Sequence, residues 1–255
     1  MWFASLGVVV VLAVGSVVPA WMANGVAGAL TETFGQRPQV TVEADPFLDL
    51  PQGRVPHMHV LALEAPIGPL RLSAVELDVR DLRLPPAAVL GLAEPVLLAP
   101  APARLRITET EDGLKRDLAA FLATLAADPK ALSGTPFQRL VGGRGPLALG
   151  SLAIAHDELN VTVTAQGKDG VLPISLGFGL AIADGRRLVP KDPHAQVGGT
   201  ALPGMLLKLA AKSAGALLDL DKLGPELAGW TLTDVSLADG RLEVVLAGEI
   251  PVKAP

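Results

Sequence analysis

The sequence predicts an α+β protein in which a strongly twisted, mostly antiparallel sheet wraps around a long helix. Two observations carry this. Segments with a two-residue apolar period come in runs, instead of alternating one by one with helices, and that favours antiparallel pairing over βαβ units. One helical stretch, from Pro203-Gly204 to just before Gly224-Pro225, is apolar around most of its circumference. Its Lys208, Lys212 and Asp219 lie within about 40° of one another at 3.6 residues per turn, and only Asp221 and Lys222 leave that stripe. A helix with so narrow a polar stripe needs cover on most sides. A curled sheet supplies it.

The chain opens on a run from Trp2 to Ala23 without a charged side chain, and the first charge is Glu32. Such a run is long enough to span a bilayer as a helix. Trp2 and Trp21 bracket it, about 28 Å apart at ~1.5 Å per residue, a spacing suited to aromatic anchors at two interfaces. Val18-Pro19-Ala20 also offers small residues for cleavage before Trp21, so a removed leader is the second reading. Either way the rest is exported. Residues 1–23 are therefore read as a hydrophobic signal or membrane-anchor segment and 24–255 as a single domain. The expected address is the periplasm or the extracytoplasmic face of the membrane.

Further along, Val75, Leu77 and Val79 alternate with Glu76, Asp78 and Arg80, after which the apolar set shifts to Leu82 and Leu84. That shift predicts a bulge that bends the strand. The Pro- and Ala-rich stretch 85–102 reads as an irregular crossing. Leu114, Leu118, Phe121, Leu122 and Leu125 make one stripe of a helix, with Thr108 and Glu111 at capping-box spacing before it. Val161 and Val163 alternate with Asn160, Thr162 and Thr164. The cleanest strand sets Ile174, Leu176, Phe178, Leu180 and Ile182 against Ser175, Gly177, Gly179 and Ala181. One of its faces is bulky and the other nearly bare. Asp239-Gly240 between two alternating runs is a hairpin signal, and Trp230 and Leu232 have the opposite parity to Val235, which predicts another register change. Gly- and Pro-rich 133–146 is the best candidate for a domain boundary, but either half alone would lack strands.

Half the residues are apolar, drawn from Ala, Val and Leu, while charged residues make up 18% against roughly 25% in typical soluble domains. That is more aliphatic surface than a compact core needs, and an internal apolar wall is one place for it. A net charge of −5 without basic runs lacks the footprint of nucleic-acid binding. The absence of Cys removes disulfides, thiolate metal sites and Cys nucleophiles together. His57 and His59 would share a strand face, but that strand offers no third ligand for a metal. His156 and His194 read as turn residues. Gly150-Ser151-Leu152 lacks the nucleophile elbow, and phosphate-cradling, dinucleotide and His-Glu-x-x-His motifs are absent. Carboxylate pairs such as Asp157-Glu158 fall in turns, without the shielding that acid–base work needs.

Several segments in order resemble the bacterial LmeA-type phospholipid-binding family, over about residues 24 to 248. They are Val40 to Ala44, Asp45-Pro46-Phe47-Leu48 followed by Gly53, Arg106-Ile107-Thr108 leading to Asp117-Leu118, and Ala201-Leu202-Pro203. Asp219-Leu220, Leu232 to Leu237 and Asp239-Gly240 complete the set. The resemblance implies a shape similar to tubular lipid-binding (TULIP) domains, with phospholipid chains in an apolar groove. It also implies an envelope location, and brings no catalytic motif and no cofactor. On that reading Phe47, Leu118, Phe121, Leu122, Phe178, Leu206, Leu209 and Leu217 would line the groove, and Lys208 and Lys212 would face a headgroup phosphate. For the aromatic residues plain core packing is the competing reading, and for the lysines a solvated stripe. The alternative function is an envelope interaction protein whose groove is filled by its own side chains.

Overall fold

A computed structural model describes residues 19–44, 49–67, 70–89, 96–127, 147–167, 170–204, 207, 217–223 and 227–252. The architecture is α+β, with two open, mostly antiparallel sheets and few helices. The chain divides into two compact units. Unit 1 comprises Met1–Thr108, Asp219–Asp234 and Val244–Pro255; unit 2 comprises Glu109–Leu218 and Val235–Glu243.

In unit 1, helix α1 (Pro19–Phe34) precedes strands β1 (Gln39–Glu43), β2 (Arg54–Ile67) and β3 (Leu70–Arg83). After a short helix α2 (Pro86–Val89) comes β4 (Ala101–Thr110). The sheet order is β1-β2-β3-β4-β12-β11, where β11 is Thr231–Ala238 and β12 is Arg241–Ile250. Helix α1 packs on β1 and β2. It buries Val26, Ala27 and Leu30, one stripe of the helix, and each Val or Leu contributes about 1.5–3 kcal/mol by leaving water. In the crossing at 85–102, residues 96–100 are irregular as expected, Pro86–Val89 form α2, Ala101 and Pro102 already belong to β4, and 90–95 lie outside the described residues.

The expected change of parity on β3 falls at Asp81, whose φ is 50°: Val75, Leu77 and Val79 are buried before it, Leu82 and Leu84 after it. No extra residue is inserted there, however. The pairing holds one register from Arg54 opposite Arg83 to Ile67 opposite Leu70. Strand β2 changes parity at the same level, between Val55 and Met58, so both strands turn over together. Glu64, with φ 49°, marks a second change between buried Ala62 and Ala65. In β11, Leu232 and Leu237 are buried with Thr233 and Asp234 both exposed between them, so the predicted shift there is present. Asp239 and Gly240 both have positive φ, as a type I′ hairpin turn requires.

Unit 2 is built on helix α3 (Glu111–Ala127) and strands β5 (Leu147–Ala155), β6 (Glu158–Gly167), β7 (Gly170–Ala183) and β8 (Arg187–Val197). Short strands β9 (Thr200–Ala201) and β10 (Leu218–Asp219) join β8, giving the order β10-β8-β7-β6-β5. The helix starts later than its capping-box spacing predicts. Thr108 stays in the ladder opposite Ala74, and Thr110 is the cap, its Oγ1 accepting from the Gly113 N–H at 3.2 Å. His156 occupies a turn with φ 55°, as expected. His194 does not; it lies in β8 opposite Gly177.

The long helix predicted over 203–223 is not continuous. Gly204 and Leu207 are helical, with the Leu207 N–H donating to Pro203 O at 3.3 Å, and residues 208–216 lie outside the described ones. At Leu217 the backbone N–H donates to Leu188 O at 2.8 Å, and Leu218–Asp219 become strand β10. A separate short helix, α4 (Leu220–Leu223), follows. Asp219 accepts from the Asp221 N–H at 3.2 Å, the geometry of an N-cap. The sheet edge competes successfully for these backbone groups, and a sequence wheel cannot register that.

Candidate binding face

Residues paired across an antiparallel sheet point to the same side, so the register of unit 2 sorts its side chains into two faces. On one face the rows run Leu147–Ala165–Leu172, then Leu149–Val163–Ile174–Val197, then Leu152–Val161–Leu176–Ala195, then Ile154–Leu159–Phe178. Leu180 opposite Pro190 and Ile182 opposite Leu188 continue it. A shift in the β5–β6 pairing between Leu149 and Ser151 keeps β5 in step, so that Leu152 and Ile154 stay on the apolar side. No row contains a polar side chain.

The opposite face carries Ser151, Thr162, Ser175 and Gln196 in one row, with Thr162 and Ser175 hydroxyls 3.0 Å apart. The positions that read as bare in the sequence are seats for neighbours. A Cβ at Gly177 would run into the His194 ring and lie 2.6 Å from Asn160 Oδ1. Only glycine leaves room for both.

Helix α3 covers one end of the apolar face. Leu122, Leu147, Val163, Ala165 and Ile174 form a buried cluster, and Leu118, Leu149, Val161 and Val197 pack against it. The N-terminus of α3 is tied to edge strand β5: Glu111 Oε2 accepts from the Ile154 N–H at 3.1 Å, while Oε1 pairs with Lys115 Nζ at 2.7 Å. The bond from Lys115, aided by that from Ile154, holds the Glu111 carboxyl below the usual glutamate range. Farther along the face, cover thins. Leu176 is 39% exposed, and Phe178, Leu180 and Ile182 are half-buried.

Of the residues expected to line a groove, Leu118, Leu122 and Phe178 are therefore on or against this face. Phe121, on α3, is 57% exposed, and Leu217, beside β8, is 54% exposed. Phe47, Leu206 and Leu209 lie outside the described residues, as do Lys208 and Lys212. Leu152, Val161, Ile174 and Leu176 belong to the same face but are missing from the sequence-derived set. Strand alternation marks them as one-sided; only the register brings the strands' apolar sides together.

In unit 1, the outer face of the sheet brings carboxylates to the two histidines. Asp78 Oδ1 on β3 lies 3.2 Å from His57 Nε2 and 3.0 Å from His59 Nδ1, and Glu43 Oε2 on β1 is 3.4 Å from His57 Nδ1. Burial raises the Asp78 carboxyl, but hydrogen bonds to His59 and His57 outweigh it and the net shift is downward. Neighbouring strands supplied the partners that β2 alone lacks. Even so, no group of three such side chains among the described residues is arranged to hold a metal ion. None of the helices among the described residues is long and apolar enough to cross a membrane; the apolar segment up to Val18 lies outside them.

A protein-family model described as LmeA-like phospholipid-binding matches residues 12–247 of the chain. No curated protein and no solved structure matches it.

Proposed function

Since the chain belongs to the LmeA-like phospholipid-binding family, we propose that it binds a phospholipid non-covalently, with the acyl chains against the apolar face of unit 2. The supporting observation is the uninterrupted apolar register across β5 to β8, with Leu176 still 39% exposed on it. Each methylene sheltered there contributes ~0.8 kcal/mol, so partial cover of one tail gives useful affinity. The reading extends to a TULIP-like groove, and to lipid carriage in the cell envelope behind the apolar N-terminal run. Among the described residues, the paired rows of this face hold no ionisable side chain to act on a lipid, which favours carriage over catalysis.

The test is lipid extraction and native mass spectrometry of the purified chain and of its Leu176→Asn variant. Leu176 is partly exposed, so Asn there leaves the buried cluster under α3 intact and the melting temperature little changed. The wild type is expected to retain phospholipid and the variant to lose most of it. A folded wild type that retains none, and takes up none from vesicles, would reject this reading. An interaction module with its face filled by its own side chains would replace it.

A further inference from the structure

The apolar face of unit 2 is covered unevenly. Toward α3 it is closed, with Leu147, Val163, Ala165 and Ile174 buried in the cluster around Leu122. Both flanks are closed as well. Leu152 and Ile154 are buried on β5, and Leu188 and Ala195 are buried on β8. What stays open lies over β7, where Leu176 is exposed and Phe178, Leu180 and Ile182 are half-buried. From Leu176 to Ile182 this lane runs about 20 Å at ~3.3 Å per residue. Buried Ile174 stops it at one end, and at the other it runs out at the turn between β7 and β8.

The mouth of the lane is charged. The β7–β8 turn carries Asp184, Arg186 and Arg187, with an ion pair between Arg187 and Asp184. The β5–β6 turn brings Asp157 and Glu158 alongside, since the Asp157 carbonyl oxygen would lie 3.3 Å from a Cβ on Gly179. Lys191, opposite Gly179, and Asp192 follow on β8. At the start of α3, beside Ile154, Glu111 and Lys115 are paired with each other. Both signs are thus present around the mouth, while the rows that bound the blind end are apolar. A phospholipid has one polar end, and so does the lane.

We infer that a bound phospholipid lies along β7 in one direction, with the tip of an acyl chain against Ile174 and the headgroup at the β7–β8 turn. A headgroup placed at Ile174 would lose its water and find no polar partner in the apolar rows, a costly burial. At the turn it keeps both water and charged neighbours. The inference rests on the phospholipid reading above and deepens it, because that reading fixes neither the direction of the lipid nor the part of the face it occupies.

The chain has no cysteine, so a single introduced thiol can carry a nitroxide. Gln196→Cys and Arg187→Cys are each labelled in the full chain. Both positions are exposed on the side of the sheet away from the lane, opposite Ser175 behind its blind end and opposite Ala183 behind its mouth. Each protein takes up phosphatidylcholine from vesicles and is then separated from them. The lipid carries a second nitroxide, either on the choline or near the tip of an acyl chain, and pulsed electron–electron resonance measures the separations. The choline label should lie closer to 187 than to 196 by about 20 Å, given ~3.3 Å per residue, and the acyl label should reverse that order. The opposite order, or equal separations from both positions, overturns the inference. Circular dichroism melts check each fold, and Lys191→Cys, exposed opposite Gly179, takes the place of 187 if that variant melts early. Lipid extraction of the unlabelled chain judges the phospholipid reading separately. A lipid-loaded protein without coupling to either label holds its lipid elsewhere and loses only this inference, whereas a folded chain that takes up no lipid loses both.

Discussion

At Gly53 the backbone holds φ at 71°, and a Cβ there would collide with the carbonyl oxygen of Leu84. Leu84 in turn donates its N–H to Gly53 O at 2.8 Å, so neither strand end can move away without losing that bond. Two independent penalties therefore fall on any side chain, one for the left-handed backbone and one for the collision. Gly53→Ala should cost at least about 2 kcal/mol, read as a lower denaturation midpoint with unchanged m-value. An unchanged midpoint would mean the loop relaxes freely. In the sequence this glycine is visible only as part of a short pattern after Asp45-Pro46-Phe47-Leu48. Its cause, the approach of residue 84, is non-local. The same holds for His57 and His59, whose carboxylate partners Glu43 and Asp78 come from two other strands. Chemistry set by neighbours in space is not legible from neighbours in sequence.

Periodicity, by contrast, is a local property, and the elements that rest on it were legible. The stripe of Leu114, Leu118 and Leu122 became α3, and the alternation of β6 and β7 became one apolar face. Element ends were not, because they depend on competition for backbone groups: Thr108 stays in a ladder, and Leu217 donates to Leu188. The start of α3 offers a test. Glu111 ties the helix to the edge of β5 through Ile154 and pairs with Lys115, and both interactions lower its pKa. A carboxyl with a folded pKa below its unfolded one stabilises the fold above the unfolded value, about 4.3 for Glu. That contribution disappears as pH falls through the folded value. Glu111→Gln should therefore be less stable than wild type at neutral pH, and the gap should close below about pH 4. Denaturant titrations at several pH values measure it. A gap independent of pH would show that the charge of Glu111 is irrelevant and only its shape matters.

At the scale of the whole molecule, the unit assignment changes four times along the chain, at 108/109, 218/219, 234/235 and 243/244. No single cut separates the units, which is why composition along the sequence gives no clear boundary between them. The consequence is thermodynamic. Unit 1 draws Leu220, Leu227, Trp230, Leu232, Val244, Val245, Leu246 and Ile250 from the C-terminal stretches, and all are buried. At the lower value of about 1.5 kcal/mol per buried side chain, these residues contribute roughly 12 kcal/mol of hydrophobic stabilisation. That is comparable to the whole net stability of a typical domain, about 5–15 kcal/mol. Trp230 adds a steric lock, since its ring lies against Gly248, where a Cβ would sit 2.6 Å from the Trp230 Cδ2. In sheet order β12 is the neighbour of β4, so losing it turns β4 into an open edge. A chain ending at Leu218 should therefore fail to form unit 1, even though Met1–Thr108 supplies most of its residues. Expected are a broad, non-cooperative melt by circular dichroism, strong binding of an apolar dye and a tendency to aggregate. A truncated chain that melts cooperatively near the wild-type temperature would mean that β1 to β4 and α1 suffice for the core. The interleaving of the two units would then be a detail of chain path, with no bearing on stability.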